Sequence, residues 1–361
     1  MESKMQFEVK KYREFNQRDF KYFLLGGDIG GTNTRLGLFG LGNKRPQLLT
    51  SLHFKSQELH SLPSAINKAL EYFYDNYKVK LTEASIAAAG PLSPDRNHVA
   101  VTNLKWGVDK DDLLKKTKLK KIIFLNDFEA IGYGINMIST KDFKTIKRAK
   151  KIPKAPIVLI GAGTGLGKTT LIYDNHSESY VPLPSESGHN DFPAKNEEEF
   201  KIIESIRKRE RLKSFVSFEH FLSGHGLTDI YYFLKKSRRF KQTKYAHEID
   251  SSKNKPELIS KYREIDETCR ETFNIFLDIY ARFARNCALD SLAYRGVYIT
   301  GKIAVNNQDI FGSKFIKSFE QNYKLSHLLK KIPIFLILNY NIGMLGAAFA
   351  YYIQKKKSLA L

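Results

Sequence analysis

The sequence predicts an α/β fold of two related domains, each with a mixed sheet flanked by helices, and a cleft between them. The first observation is a strand–glycine turn–strand pattern that occurs twice, near residue 30 and near residue 165. The two copies share the same order of elements but not the same sequence. The second is the length of 361 residues, with 42% hydrophobic and 12% aromatic residues, which suits two cores of ordinary size.

The first half of the chain alternates short strands with turns. YFLLGGDIGGTNTRLGLFGLGNK predicts strand, glycine turn, strand and a Gly-Asn turn, and LLTSLHF adds a third strand. Apolar residues at helical spacing predict a helix over Leu62–Tyr77. ASIAAAGPL reads as a buried strand ended by Gly-Pro, and HVAVTNLKW as a strand that leads into a loop. KIIFL predicts a strand that runs into Asn126-Asp127 and then a helix.

The second half begins the pattern again with a strand over Ala155–Ile160, a glycine turn and the strand TTLIY. Helices are predicted next at Glu197–Leu212, Ser217–Lys236 and about 265–291, then strands at Gly296–Ile299 and Ile332–Leu338. GMLGAAFA opens the last helix. We predict an N-terminal leader at 1–20, read as a solvated helix, a small domain at 21–138 completed by the C-terminal helix in 340–361, and a large domain at 139–339.

Composition excludes several classes of protein. The two cysteines, Cys269 and Cys287, fall on one predicted helix about 27 Å apart, so they cannot form a disulfide bond. No Cys/His cluster has zinc spacing, no apolar run approaches the roughly 20 residues of a membrane span, and the N-terminus lacks a signal-peptide core. The net charge of +21 would suit an acidic partner, but the lysines are dispersed. We expect a cytoplasmic protein without a nucleic-acid or membrane partner.

The first glycine turn carries a candidate phosphate site. In D-I-G-G-T-N-T-R, glycines let backbone N–H groups approach a phosphate closely, and Asp28 can hold a hydrated Mg²⁺. Donors come from Thr32, Asn33 and Arg35. Glycines in hairpins are common, so the bare glycine pattern is weak, but the whole combination on a β-hairpin is far more specific.

The second turn, GAGTGLGKTT, is close to a Walker-type phosphate loop. Such a loop needs a helix after its lysine, because the helix N-terminus meets the phosphate. The residues after Lys168 are Thr-Thr-Leu-Ile-Tyr, followed by an Asp-Asn turn, and they predict a strand. We therefore interpret Gly161–Gly167 as a second phosphate hairpin and Lys168 as a surface residue at the start of the outgoing strand.

Three polar segments are candidates for substrate binding. Asp127, at the end of a strand, can accept a proton from a substrate hydroxyl while Asn126 orients that hydroxyl, although the pair also suits an ordinary helix N-cap. Glu186 and His189, in the loop PSESGHNDF, can bond a polyhydroxy ligand. Glu219 lies on a predicted helix before a glycine break, where a lone glutamate is usually only solvated, and His220 has no assigned role.

The chain resembles the bacterial-type glucokinase family of the sugar kinase/actin/Hsp70 superfamily. The matching stretches run in the family's order from residue 27 to residue 350: GDIGGTNTRLGLF, VAVTNLKW, LNDFEAIGYG, GAGTGLG, LPSESGHNDF, FEHFLSGHGL, ITGKI and NIGMLGAAFA. The resemblance implies two actin-like, ribonuclease H-like domains that close around glucose, usually in a homodimer. It also implies transfer of the γ-phosphoryl group of ATP, with Mg²⁺, to the 6-hydroxyl of glucose.

The resemblance assigns roles to residues of this sequence. It implies that Asp127 is the catalytic base and binds sugar with Asn103, Asn126, Glu186, His189 and Glu219. It implies a nucleotide cradle made of Asp28, Gly30, Gly31, Thr32, Asn33, Arg35, Gly161, Gly163, Thr164, Gly165, Gly167, Thr300 and Gly301, with Asp28 holding Mg²⁺ through water.

The sequence departs from the family pattern at two positions of these motifs. Ser187 stands where the family usually has glycine, and Gly301-Lys302 replaces a common Gly-Gly. The cysteine-rich zinc motif of the repressor-type relatives is absent, which favours the zinc-free branch. A P-loop ATPase and a non-catalytic sugar-sensing or polyanion-binding protein stay as alternatives. ADP or polyphosphate as donor, and mannose or glucosamine as acceptor, also stay open.

Overall fold

The structure is a computed structural model that describes residues 5–42, 45–101, 104 and 106–358. It confirms the α/β class, with two mixed sheets flanked by helices. The chain divides into two compact units. One comprises Met1–Ser139, Tyr173–Pro182 and Asn339–Leu361, and the other comprises Thr140–Ile172 and Leu183–Leu338. Residues 173–182, which the sequence analysis assigns to the large domain, are thus grouped with the first unit.

The described strands are, in chain order, β1 (Glu8–Lys11), β2 (Tyr22–Ile29), β3 (Asn33–Leu41), β4 (Gln47–Lys55), β5 (Glu83–Ala88), β6 (His98–Val99), β7 (Val108–Asp109), β8 (Lys121–Asn126), β9 (Phe143–Lys147), β10 (Ile157–Ala162), β11 (Leu166–Asp174), β12 (Ser179–Ser185), β13 (Gly296–Thr300) and β14 (Ile334–Ile337). The described α-helices are α1 (Leu62–Tyr77), α2 (Lys110–Lys116), α3 (Asp127–Gly134), α4 (Glu197–Glu210), α5 (Gly224–Ser237), α6 (Lys244–Ser251), α7 (Lys255–Tyr262), α8 (Glu267–Ser291), α9 (Lys302–Asn306), α10 (Ser313–Glu320), α11 (Ser326–Leu329) and α12 (Ile342–Ser358). Among the described residues, none of the helices combines the length and apolar character that a membrane crossing requires.

The first sheet has the order β1-β4-β3-β2-β5-β8. Strands β2, β3 and β4 form an antiparallel meander, whereas β5 and β8 run parallel to β2. Helix α1 covers this sheet with the apolar stripe that predicted it, and Ile66, Leu70 and Phe73 are buried. The carboxyl ends of β2, β5 and β8 therefore meet at one edge of the sheet.

The predicted solvated leader helix is wrong. Residues Glu8–Lys11 form the edge strand β1, which pairs antiparallel with β4. The strand is charged and mostly exposed, as edge strands commonly are, because charge there discourages pairing with other chains. That composition is the same as that of a solvated leader, so the sequence alone does not distinguish the two.

The second sheet has the order β12-β11-β10-β13-β14-β9. As in the first sheet, an antiparallel hairpin comes first, here β10–β11. Strand β13 then runs parallel to β10, and β14 runs parallel to β13. This shared order confirms the predicted repeat of architecture. The long helix α8 is largely buried, and both cysteines on it are buried and free, as the sequence predicts.

The predicted helix over Ser217–Lys236 is broken. Phe218–His220 is a single 3₁₀ turn, and α5 begins only at Gly224, where the Ser223 side chain accepts a hydrogen bond from the N–H of Gly226. A serine that caps a helix competes with the helical backbone upstream, so the new helix starts there.

Candidate active site

The first phosphate hairpin joins β2 to β3. Asp28 and Arg35 are paired in the register of these strands, and Arg35 Nη1 lies 3.1 Å from Asp28 Oδ2. The same nitrogen donates to the carbonyl of Tyr340 at 3.0 Å. Burial raises the pKa of the Asp28 carboxyl, and the Arg35 guanidinium opposes that rise. Arg35 is therefore held in place beside the one carboxylate of the hairpin.

The turn of this hairpin is fixed through its carbonyl groups. Ser56 Oγ donates to the carbonyl of Gly30 at 2.6 Å, its N–H donates to that of Thr32 at 2.9 Å, and Gln57 Nε2 donates to that of Gly31 at 3.0 Å. Across the described residues, no acceptor takes the N–H of Gly31 or Thr32. The backbone of the turn is therefore held in place by these bonds, and it presents N–H groups that can bind an anion.

Asn126 and Asp127 lie at the same sheet edge as Asp28. The register pairs Asp28 with Ala87 on β5 and Ala88 with Asn126 on β8. Asn126 caps α3: its Oδ1 accepts from the N–H of Phe128 at 2.9 Å and from that of Glu129 at 3.3 Å. Its Nδ2 donates to the carbonyl of Gly90 at 3.3 Å. The N-cap interpretation is thus correct for Asn126, which also fixes the position of its neighbour.

The Asp127 carboxylate stands in the first turn of α3. Its Oδ1 accepts a hydrogen bond from the N–H of Phe128 at 3.0 Å. The positive end of the helix dipole favours the ionised form of a carboxylate at this position. A base for proton abstraction needs that form, so the helix start suits the predicted role.

Several groups that lie around Asp28 carry no signal in the sequence. A Cβ on Gly343, in the first turn of α12, would lie 3.3 Å from the carboxylate atoms of Asp28. Tyr340, Ser56 and Gln57 likewise hold the hairpin. They are 20 or more residues away along the chain, so no local pattern reveals them. The predicted sugar residue Asn103 lies outside the described residues.

The second phosphate hairpin joins β10 to β11. Gly161 pairs with Gly167, and the turn of Gly163, Thr164 and Gly165 closes with a 2.8 Å bond from the N–H of Gly163 to the carbonyl of Gly165. Lys168 lies inside β11. The prediction of a strand rather than a helix after the glycine turn is confirmed, and a Walker loop is excluded.

The predicted surface position of Lys168 is wrong. The residue is only 7% exposed, and its Nζ lies 3.7 Å from Oδ2 of Asp290, which is itself largely exposed. The alkyl stem is buried along the sheet while the ammonium reaches a carboxylate at the surface, a common arrangement for lysine. Sequence pattern reports the strand but not the depth of this position in the fold.

We expect Lys168→Ala to reduce stability and leave phosphoryl transfer within a few-fold of wild type. The buried stem is lost, at a cost of about 1–2 kcal/mol, whereas Asp290 stays solvated. Lys168→Met, which keeps the stem, is the matched control and should lose less. Urea denaturation and kcat at saturating substrates measure both effects. A stable but inactive Lys168→Ala protein would contradict this assignment.

The three predicted sugar residues of the second unit lie together. His189 Nε2 is 3.8 Å from Glu186 Oε2, and His189 Nδ1 is 3.8 Å from Glu219 Oε1. Glu186 and His189 are exposed and only Glu219 is partly buried. Their polar atoms therefore remain accessible to a ligand with several hydroxyl groups.

Glu219 also touches the phosphate hairpin. Its Oε2 accepts from the N–H of Leu166, the first residue of β11, at 2.8 Å. Gly188 packs so closely on the carbonyl of the same Leu166 that a side chain would collide with it. The segment with Glu186 and His189 and the segment with Glu219 thus both contact Leu166, the residue that follows the glycine turn. The sequence does not reveal this link.

His220 and Ser187 have local structural partners. His220 Nδ1 accepts from the N–H of Ser217 at 3.1 Å, and burial lowers the pKa of the imidazole. This bond holds the 3₁₀ turn that carries Glu219. The Ser187 hydroxyl, at a position where glycine is usual in the family, lies 2.6 Å from the Ser185 hydroxyl.

Thr300 and Gly301 lie beside the second hairpin. Thr300 ends β13 and pairs with Gly161 in the parallel register. Gly301 has φ +97°, and a Cβ there would collide with the carbonyl of Ala162. Both the backbone angle and the close approach require glycine at this position.

A cavity of about 470 Å³ opens next to this hairpin. Its wall includes Gly163 and Thr164 of the turn, His225 at the start of α5, Pro256 on α7 and Lys302 on α9. The volume lies in the range of about 300–1,000 Å³ that is usual for small-molecule sites. The phosphate hairpin is thus continuous with a pocket large enough for a nucleoside.

The donor set fits a magnesium ion held mainly by phosphates. Among the described residues, no group of three or more His, Cys, Asp or Glu side chains has the geometry of a metal site. Asp28 is the carboxylate of the first hairpin. Mg²⁺ usually keeps several waters and takes one or two carboxylates plus substrate phosphates, so a single aspartate is sufficient.

Comparison with known proteins identifies one family. A family model described as Glucokinase matches residues 25–354. The glucokinase of Nostoc sp. (strain PCC 7120) is 32% identical over 340 residues, which cover 90% of this chain and 97% of that protein.

Solved structures agree with this match. A glucokinase from an Antarctic psychrotroph superposes with a TM-score of 0.75 at 26% identity, covering 91% of this chain and 98% of that one. A ROK family glucokinase from Streptomyces griseus, solved with glucose and AMPPNP, has a TM-score of 0.60 at 17% identity, covering 90% and 98%, and its likeness shows the fold alone.

Proposed function

The chain belongs to the glucokinase family, and on that premise we propose how its residues transfer the γ-phosphoryl group of ATP to the 6-hydroxyl of glucose. The activity itself, ATP-dependent phosphorylation of glucose, follows from the family. The observation that carries the mechanism is the position of Asp127, a carboxylate in the first turn of α3 at the sheet edge that also bears Asp28.

Asp127 is the general base. Its carboxylate accepts the proton of the 6-hydroxyl as that oxygen bonds to the γ-phosphorus, and the bond to the β-phosphate oxygen breaks to release ADP. Asn126 is a positioning residue, because its cap bonds fix the start of α3 from which the carboxylate projects. The family resemblance assigns a second role, sugar binding, to Asn126 and the same role to Asn103.

The two glycine hairpins bind the phosphates. The N–H groups of Gly31 and Thr32 and those of Thr164 and Gly165 in the second turn offer donors, and Thr300-Gly301 supports the second turn. Arg35 adds a positive charge that Tyr340 and Asp28 hold in position. Asp28 would hold Mg²⁺ through water, and the ion, when bound, neutralises charge that develops on the transferred group.

Glu186, His189 and Glu219 bind the remaining hydroxyl groups of glucose. Each offers acceptors or donors within a compact cluster, and a site built on such bonds discriminates against sugars that lack the partner hydroxyl. Glu219 has a second task, because its bond to Leu166 also fixes the end of the phosphate turn. Glu219 therefore contributes to both sugar binding and phosphate binding.

Glu186→Gln and His189→Ala should raise KM for glucose about tenfold or more and leave KM for ATP nearly unchanged. Both side chains are assigned to sugar hydroxyls, and a charge-assisted hydrogen bond contributes about 1.5–3 kcal/mol. Initial rates over both substrates measure the two constants. Glu197→Gln, an exposed glutamate on α4, is the control. A collapse of ATP affinity instead would assign the loop to the nucleotide site.

Three further features rest on the family resemblance, which implies the homodimer, and on the composition of the chain, which favours the other two. We propose a homodimer, a cytoplasmic location and the absence of nucleic-acid or membrane partners. Sedimentation velocity tests the first of these, and a monomer at all micromolar concentrations would contradict it. ATP is the proposed donor over ADP or polyphosphate. A P-loop ATPase lacks support, because a strand follows Lys168.

A further inference from the structure

Lys302 stands where the wall of the cavity meets the second phosphate hairpin. It is the first residue of α9 and lines the same cavity as Gly163 and Thr164. Gly301, the residue before it, packs against the carbonyl of Ala162 at the base of that hairpin. The contact between Gly301 and Ala162 is possible only for glycine, and it fixes the backbone of the adjoining Lys302 relative to the turn.

The Lys302 ammonium is available for a ligand. The side chain is exposed, and in the described part of the chain it forms no ion pair or hydrogen bond. Two other charged residues of the cavity wall are bonded within the protein: Lys255 Nζ donates to the carbonyl of Ser252 at 2.7 Å, and Glu257 accepts from the Asn254 side chain. Lys253, also in the wall, is exposed like Lys302 but does not adjoin the hairpin in sequence or strand pairing. The charge of Lys302 is thus not neutralised by the protein.

The part of the cavity wall that contains Gly224 and Pro256 is bonded to the phosphate turn. A Cβ on Gly224 would lie 3.4 Å from Pro256, and the N–H of Gly224 donates to the carbonyl of Gly163 at 3.0 Å. This bond orients the carbonyl of the turn toward α5. A phosphate chain bound at the turn would therefore lie at the cavity that Lys302 also lines.

We propose that Lys302 binds the phosphate chain of the nucleotide and makes donor affinity depend on the number of phosphates. This inference rests on the proposed function, which places the nucleotide at the two hairpins. It also explains a departure of this sequence from its family, since a lysine replaces the usual second glycine. An ammonium beside the turn strengthens binding of a polyanion but adds little for a neutral nucleoside.

Displacement of a fluorescent ATP analogue by ADP and by adenosine tests the inference. In Lys302→Gln, the dissociation constant of ADP should rise about tenfold or more, the size expected for one charge-assisted contact, while that of adenosine stays unchanged. Lys302→Arg should restore ADP binding. Lys314→Ala, an exposed lysine on α10 outside the cavity lining, removes the same charge and should change neither constant.

Two results would overturn the inference. Equal weakening of ADP and adenosine would mean that Lys302 only shapes the pocket, and unchanged ADP binding would mean that it does not reach the phosphates. Because the experiment measures dissociation constants, its outcome does not depend on catalysis. A wild-type protein that binds nucleotide without phosphorylating glucose would refute the proposed function and still leave the Lys302 comparison decisive.

Discussion

Asp127→Ala is expected to lower kcat by about 10²- to 10⁴-fold, the usual contribution of a general base, while glucose still binds. The fold should tolerate the change, because Asn126 Oδ1 accepts from the N–H of Phe128 at 2.9 Å and keeps α3 capped without the aspartate. Glucose affinity should persist through Glu186, His189 and Glu219. Steady-state rates and calorimetric titration with glucose measure the two properties.

The controls separate a lost base from a lost fold. Asp127→Asn keeps the shape of the side chain and should be nearly as slow as the alanine variant, because an amide cannot accept the proton. Asp75→Ala, an exposed aspartate on α1, should behave like wild type. Turnover near the wild-type value in Asp127→Ala would remove this residue from the mechanism.

Gly165→Val should lower kcat/KM by about 10²-fold or more and impair both substrates. A Cβ at this position would lie 2.5 Å from Glu219 Oε2, the oxygen that accepts from the N–H of Leu166. The branched side chain would displace Glu219, and a shift of about 1 Å at such a site typically costs about 10²-fold. Because Gly165 does not have a positive φ, the collision with Glu219 is the reason, rather than a left-handed backbone.

Gly163→Ala is the matched variant in the same turn. No atom lies within 4 Å of a Cβ there, so the protein should fold normally. Because the position faces the cavity, only KM for ATP should rise. Measurement of KM for both substrates compares the variants. Gly165→Val with a normal KM for glucose would show that Glu219 is not the link between the sugar segments and the turn.

Patterns that repeat along the chain predicted the fold well. The helical spacing over Leu62–Tyr77 gave the observed bounds of α1, and β-branched residues after Lys168 gave the strand that excludes a P-loop. These features are local, because periodicity and turn residues depend on neighbours in sequence. The same reasoning placed Asp28, Asp127 and the two glycine turns at the ends of strands.

Features that depend on distant contacts were not predictable. The burial of Lys168 depends on the depth of β11 and on Asp290, more than 100 residues away. No local pattern marks the edge strand in the leader, because the order of β1 depends on its pairing with β4. The bond from the Leu166 N–H to Glu219 and the packing of Gly343 beside Asp28 likewise join segments that share no local pattern.

The central claim is that this chain moves a phosphoryl group from ATP to the 6-hydroxyl of glucose through Asp127. Its most direct test is to incubate the purified protein with ¹³C-labelled glucose, ATP and Mg²⁺ and to follow the products by ³¹P and ¹³C NMR. We predict one equivalent of ADP and a single phosphomonoester, coupled to carbon 6 of the sugar, with product formation strongly slowed in Asp127→Ala. Inorganic phosphate without a sugar phosphate, or a phosphate on another hydroxyl group, would contradict the account.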